Sequence, residues 1–375
     1  RDHVRVASPL ALAAAVVLVL GLAGACSNPS TATPATPSPT PVSDYGPPPA
    51  GIPLIYVHDP KHSSWLIGFD WAGKPRGTIK LAQSASLRQA PDGSAFETGS
   101  AIKGGGQGFL DRLGQTISGP PGSGATVSEM WADDSSHMCL VTLDQQTFTW
   151  GLSTIQPGQP TRAVAVIARD QGIGQSGINP VACSFKNNFA ILVRSTIAWP
   201  AELWIIRLSD GSVLAHRTEP DTALTNIVAS PDAAYIAENS SAGSQLQDAQ
   251  GAPSTVVRRV SDWQVVLTLP AQSQVLALSS DGTHVLISKQ PYQYPGPTHL
   301  EIIDWTVPHG VWNYDGPEAL GSSITQPGSG DFAIGFEVVS AQPASGAAPE
   351  PLRDVVIVHG DGTPTKIPGR YATTW

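Results

Sequence analysis

One pattern constrains the fold of this chain more than any other: an apolar run, a tight polar turn and a second apolar run recur six times. The instances are SASLRQA-PDG-SAFETGS at 84–100, TVSEMWA-DDSS-HMCLVTL at 126–143, INPVACS-FKN-NFAILVR at 178–194, TNIVAS-PDA-AYIAENS at 225–240, VLALS-SDG-THVLISK at 275–289 and SSITQ-PGSG-DFAIGFEVV at 322–339. Their spacing of about 42 to 53 residues lies in the range at which propeller blades repeat. Short apolar runs bounded by turn residues, with no long helical periodicity from residue 51 onward, make the class all-β.

A second hairpin follows most of these anchors: WLIGFD-WAG-KPRGTIKL at 65–81, LWIIRLSD-GSVLAH at 203–216, TVVRRVSD-WQVVLTL at 255–269, LEIID-WTVPHGVWNY at 300–314 and DVVIVHGD-GTPTKI at 354–367. Asp70, Asp210, Asp262, Asp304 and Asp361 hold comparable places in it. A short carboxylate there can accept a bond from its own backbone and close the turn, so these aspartates are expected to be structural. Trp71, Trp263 and Trp305 follow three of them directly and are expected to pack between sheets rather than stack on a ligand.

Two hairpins per unit give four antiparallel strands. Runs such as VLALS and HVLISK lack polar alternation, so both faces of those strands must be covered. A sheet covered on both sides by copies of itself, arranged radially, is a β-propeller. Three strand-like segments precede the first anchor (IPLIYVH, SSWLIGFD, PRGTIKL) and lack an innermost strand of their own. The C-terminal stretch from Gly369 to Trp375 (GRYATTW) is predicted to supply it and fasten the ring. This favours seven blades over six or eight, with a strand-poor unit between Lys103 and Pro120.

The turns Ala90-Pro91-Asp92-Gly93, Ser230-Pro231-Asp232 and Ser279-Ser280-Asp281-Gly282 resemble the SPDG repeats of bacterial WD40-like, TolB-like propellers. The resemblance spans most of residues 52–375 and implies a propeller; it does not imply an activity, because such rings host binding modules and enzymes alike. Ala233 replaces the glycine in one repeat, and Phe185-Lys186-Asn187 replaces the whole turn in another.

Ahead of the ring, Arg1 and Arg5 precede an apolar run from Leu10 to Ala25 that ends in small residues before Cys26. This is the layout of a secretory signal over residues 1–25. Leu22-Ala23-Gly24-Ala25-Cys26 resembles a bacterial lipobox, which implies lipidation of Cys26; ordinary secretory cleavage and an uncleaved anchor are the alternatives. Any of the three places the domain at 51–375 outside the cytoplasm. Residues 26–50 carry the candidate lipid site and a Pro/Thr/Ser-rich stretch with almost no large apolar side chain, expected to be an extended tether.

Chemical motifs are sparse. A formal net charge of -9, from 21 Lys+Arg against 30 Asp+Glu, offers no basic surplus for nucleic acid. Gly172 to Gly177 fits G-x-G-x-x-G, but Asn179-Pro180 and a strand follow where a dinucleotide site requires a helix. No G-x-S-x-G, H-E-x-x-H or calcium loop is present, and no metal or other cofactor is expected. His58 and His62 are expected as solvated loop residues. Cys139 and Cys183, on apolar strands of neighbouring units, could form a disulfide, although buried free thiols are the expected state.

Antiparallel strands send alternate connections to opposite faces of the ring. The face opposite the Asp-Gly turns receives the long connections, which carry Trp199, Gln245, Asp248, Tyr292, Tyr294 and Glu350. Long loops on a rigid scaffold are the usual home of recognition. The expected protein is therefore a monomeric, membrane-tethered binding or scaffold module for an envelope protein, peptide or glycan, touching the membrane only through its lipid. The alternative is an enzyme, such as a lactonase-like hydrolase or a lyase, with acids and histidines converging on the central channel.

Overall fold

The computed structural model describes residues 44–82, 87–98, 108–118, 125–169, 177–194, 202–218, 224–240, 255–270, 273–289, 298–307, 309–316, 319–337, 354–371 and 373–374. Each repeat folds as anticipated. The six anchors become the antiparallel pairs Leu87–Gln89 with Ala95–Glu97, Ala125–Trp131 with Met138–Asp144, Ile178–Ser184 with Phe189–Arg194, Leu224–Ala229 with Tyr235–Ser240, Gln274–Leu278 with His284–Ser288, and Ala319–Thr325 with Phe332–Glu337. A second hairpin extends each sheet outward, giving seven antiparallel blades in a ring: a seven-bladed β-propeller. The described residues contain no helix.

Blade 1, whose three strands lie within Ile55–Lys80, borrows its innermost strand from the C-terminus. Arg370–Tyr371 pairs antiparallel with Ile55–His58, through Tyr371 opposite Val57 and Arg370 opposite His58. The chain then continues into Thr373–Thr374, which lies parallel to Leu87 and Arg88 and gives blade 2 a fifth strand. The closure was anticipated; the bridging of two blades by the same tail was not. Two second hairpins lack part of the sequence signal of the others. In blade 3, Thr149–Ile155 and Arg162–Arg169 turn on Gln156 to Thr161 without an aspartate. In blade 2, Phe109–Asp111 and Thr116–Ile117 are too short to stand out as apolar runs.

Seven apolar clusters among the described residues hold the ring together, one between each pair of neighbouring blades. Blades 7 and 1 meet through Ile324, Ala333, Val355 and Ile357 against Ile55, Val57, Ile67 and Phe69. Blades 3 and 4 meet through Trp150 and Leu152 against Leu192 and Trp204. Middle strands are buried at successive residues, as in Val355–Val358 and His284–Ser288. Outermost strands such as Val213–Thr218 are largely exposed. A blade has two greasy faces and can cover neither alone, so its burial, about 1.5–3 kcal/mol for each fully buried aliphatic side chain, is realised only against a neighbour.

The aspartates of the second hairpins all make the expected turn. The carboxylates of Asp70, Asp210, Asp262, Asp304 and Asp361 accept the amides two residues on, at 3.0, 2.9, 3.2, 2.9 and 2.8 Å. Trp71, Trp263 and Trp305 pack against the clusters between blades, as anticipated. Three expectations need correction. Cys139 and Cys183 are joined in a disulfide, not free: their strands lie face to face across blades 3 and 4, with Cα atoms 5.9 Å apart, within bonding reach. In the divergent turn of blade 4 the left-handed residue is Asn188, at φ 61°, one position later than the glycine place inferred from sequence; asparagine tolerates this region better than most. His58 ends a strand instead of lying in a loop.

Candidate functional site

The long-loop candidates Trp199, Gln245, Asp248, Tyr292, Tyr294 and Glu350, together with Cys26 and the signal segment, lie outside the described residues. So do Gly172 to Ser176 of the glycine-rich motif, although a strand and not a helix begins at Ile178. What is described is the frame that holds the loops. Arg194 and Glu202, Ser240 and Thr255, Ser288 and Thr298, and Glu337 and Val355 bound the long connections. By the antiparallel registers they all stand on the side opposite the Asx turns.

The central channel opens among the anchor turns, near Pro91, Asp133 and Pro231, as a cavity of about 290 Å³. Its wall is built from innermost strands and is chiefly aliphatic: Met130, Val181, Val228, Leu276 and Ala277, relieved by Ser323. Asp133 is the single ionisable side chain among the described lining residues, and it is already engaged. Its carboxylate accepts the Ser184 hydroxyl at 2.6 Å and the Phe185 amide at 2.8 Å. Such a wall can hold an apolar group. Among the described residues, no three His, Cys, Asp or Glu side chains stand close enough to hold a metal ion.

Around the mouth, turns of adjacent blades are laced together. The Asp92 amide donates to the Ser135 hydroxyl at 3.1 Å, Asn187 Nδ2 to the Asp232 carbonyl at 2.7 Å, and the Gly328 amide to the Ser280 hydroxyl at 2.9 Å. His284 Nε2 lies 3.0 Å from the Gly360 carbonyl, and His359 Nδ1 lies 2.8 Å from Asp331 Oδ2. These bonds join blades 2 and 3, 4 and 5, and 6 and 7, while His359–Asp331 lies within blade 7, so these parts of the turn-side rim are preorganised.

A larger opening, about 630 Å³, lies between blades 4 and 5 on the turn side. Leu214, Ala215 and Arg217 come from the outermost strand of blade 4; Tyr235, Arg259 and Trp263 come from blade 5. The Arg217 guanidinium lies 4.0 Å from the Trp263 ring centre. Arg259 Nη1 pairs with Asp262 Oδ2 at 2.8 Å, and that carboxylate, aided by the Tyr235 hydroxyl, raises the Arg259 pKa. Beneath them Arg258 Nε donates to the buried Glu238 at 2.8 Å. Sequence reasoning singled out Trp263 but not Arg217, Tyr235 or Arg259. No local signal marks them, because the residues come together only where two blades meet.

No protein-family profile matches the chain, and no curated protein matches it in sequence. Among solved structures it is similar to Kuenenia stuttgartiensis hydrazine synthase, at 13% identity over 91% of this chain and 99% of that one, with a TM-score of 0.49. A functionally unknown protein from Desulfotomaculum acetoxidans DSM 771 is similar at 11% identity over 86% of this chain and 97% of that one, with a TM-score of 0.49. The dihydro-heme d1 dehydrogenase NirN is similar at 12% identity over 88% and 76%, with a TM-score of 0.43. Likenesses of this strength carry no activity across. The seven-bladed ring is seen directly in the sheet topology, and such rings host binding modules and enzymes alike.

Proposed function

We propose that the chain is a membrane-tethered, extracytoplasmic propeller that binds a protein, peptide or envelope glycan through its long-loop face. The observation that carries the location is the buried disulfide between blades 3 and 4: such bonds form and persist in oxidising compartments. It agrees with the basic start, apolar run and Cys26 of the leader. The binding role is supported by a rigid ring that sends its five longest hairpin connections, each of seven or more residues outside the described set, to one side.

Two substitutions test this reading. Cys26→Ala is expected to release the protein from membranes into the medium, and continued membrane retention would refute lipid anchoring at that cysteine. Tyr292 and Tyr294 changed together to Ala are expected to weaken partner capture from an envelope extract without moving the unfolding temperature. Unchanged capture refutes their part in the interface; a lowered unfolding temperature shows a structural role instead.

A further inference from the structure

The groove between blades 4 and 5 is built around a residue in a conformation that its side chain does not favour. The Asp210-Gly211 and Asp361-Gly362 turns of blades 4 and 7 carry glycine at φ 72° and 85°. A β-carbon at either position would run into a backbone carbonyl of the preceding blade, that of Val164 or Val311. Blade 5 places Trp263 at the corresponding position after Asp262, at φ 61°. A bulky residue in the left-handed region is an outlier, and such outliers gather at ligand clamps.

The indole meets the Arg217 guanidinium at 4.0 Å. Arg217 is exposed and has no carboxylate within ion-pair distance among the described residues, whereas neighbouring Arg258 and Arg259 are both paired. The indole contact restrains the guanidinium, whose donors are taken up by no carboxylate among the described residues. Arg217 also belongs to Val213–Thr218, the outermost strand of blade 4. The outer edge of that strand pairs with no described strand, and Val213 and Leu214 beside it are 50% and 46% exposed.

We infer that this groove seats an extended acidic segment of a partner protein. The segment adds as a further strand to the free edge of Val213–Thr218, and one of its carboxylates takes the Arg217 guanidinium in a paired hydrogen bond. A polypeptide fits better than a sugar acid because the edge offers amides and carbonyls at strand spacing beside aliphatic side chains. The groove is lined by blades 4 and 5, whereas Tyr292 and Tyr294 belong to the 290–297 connection of blade 6, so the two sites can be tested separately.

The test uses the full chain and a fluorescein-labelled eight-residue peptide of alternating valine and glutamate, with an alternating valine and lysine peptide as control. The acidic peptide is expected to bind more tightly than the control and to slow amide exchange over 213–218. Arg217→Glu is expected to weaken it at least about tenfold, the loss of a charge-assisted pair and its replacement by repulsion. Trp263→Gly suits the turn but gives up packing between blades 4 and 5, so it should lower the unfolding temperature and also weaken the peptide severalfold, whereas Arg217→Glu, at an exposed site, should weaken the peptide with the unfolding temperature kept. Equal binding of the two peptides, unchanged affinity in Arg217→Glu, or unaltered exchange over 213–218 overturns the inference. Arg217-dependent binding of oligogalacturonate in place of the acidic peptide overturns it in favour of an acidic glycan.

Discussion

Breaking the bond between Cys139 and Cys183 should cost the domain a large part of its stability. The two residues are 44 positions apart, so the cross-link removes loop-closure entropy of about 13 cal/mol/K from the unfolded chain, or about 4 kcal/mol at 25 °C. Domains are stable by only about 5–15 kcal/mol in total. With a urea dependence of about 3 kcal/mol/M, the upper end for ordinary domains, reduction should lower the unfolding midpoint by more than 1 M. Both sulfurs are buried, at 0% and 1% exposure for their residues, so reductant must act on an opened state and the native bond should reduce slowly. The assay is urea unfolding followed by tryptophan fluorescence, with and without reductant, checked by intact mass for the two added hydrogens. Cys139→Ala with Cys183→Ala should match the reduced protein in midpoint, with a further small loss from the vacated core. Coincident oxidised and reduced midpoints, or an intact mass unchanged by reductant under denaturing conditions, would refute the cross-link as a stabilising element and remove the main structural support for an oxidising compartment.

Two further outcomes are expected. Ending the chain at Gly369 removes both terminal pairings and should speed amide exchange in Ile55–His58 and Leu87–Gln89 while blade 4 exchanges as before; unchanged exchange at both strands would show that the ring closes without its tail. Acid should also destabilise the domain. The Ser212 amide and hydroxyl, with Arg207, hold the Asp210 carboxyl at about 2, below its ordinary 3.8. The Thr306 hydroxyl lowers Asp304, and the Thr363 amide lowers Asp361. A carboxyl lowered by folding stabilises above its unfolded value and loses that contribution as pH falls toward the folded one. The urea midpoint should therefore drop between about pH 4 and about pH 2, with a shallower drop in Asp210→Asn, and equal slopes in the two proteins would show the turn to be energetically idle.

Much of the architecture follows from local chemistry alone. An aspartate closing a turn through its own backbone, flanked by apolar runs, is a short-range code, and it can be read at Asp70, Asp210, Asp262, Asp304 and Asp361 without any tertiary knowledge. Where the code is absent or the strands shrink, reading fails: Gln156 to Thr161 turns blade 3 without a carboxylate, and the strands around Asp111 contain three and two residues. The requirement that both faces of each sheet be covered also follows from sequence, because consecutive apolar residues cannot all point the same way in a pleated strand.

What only the assembled ring decides is which distant residues meet. Cys139 and Cys183 bond because two blades face each other at disulfide distance. Arg217 rests on Trp263 because blade 4 ends beside the last turn of blade 5. The C-terminal tail fastens blade 1 and then blade 2 because the circle brings its first and last strands together. Contacts of this kind carry no periodic signature, since they are set by the radial packing of whole sheets.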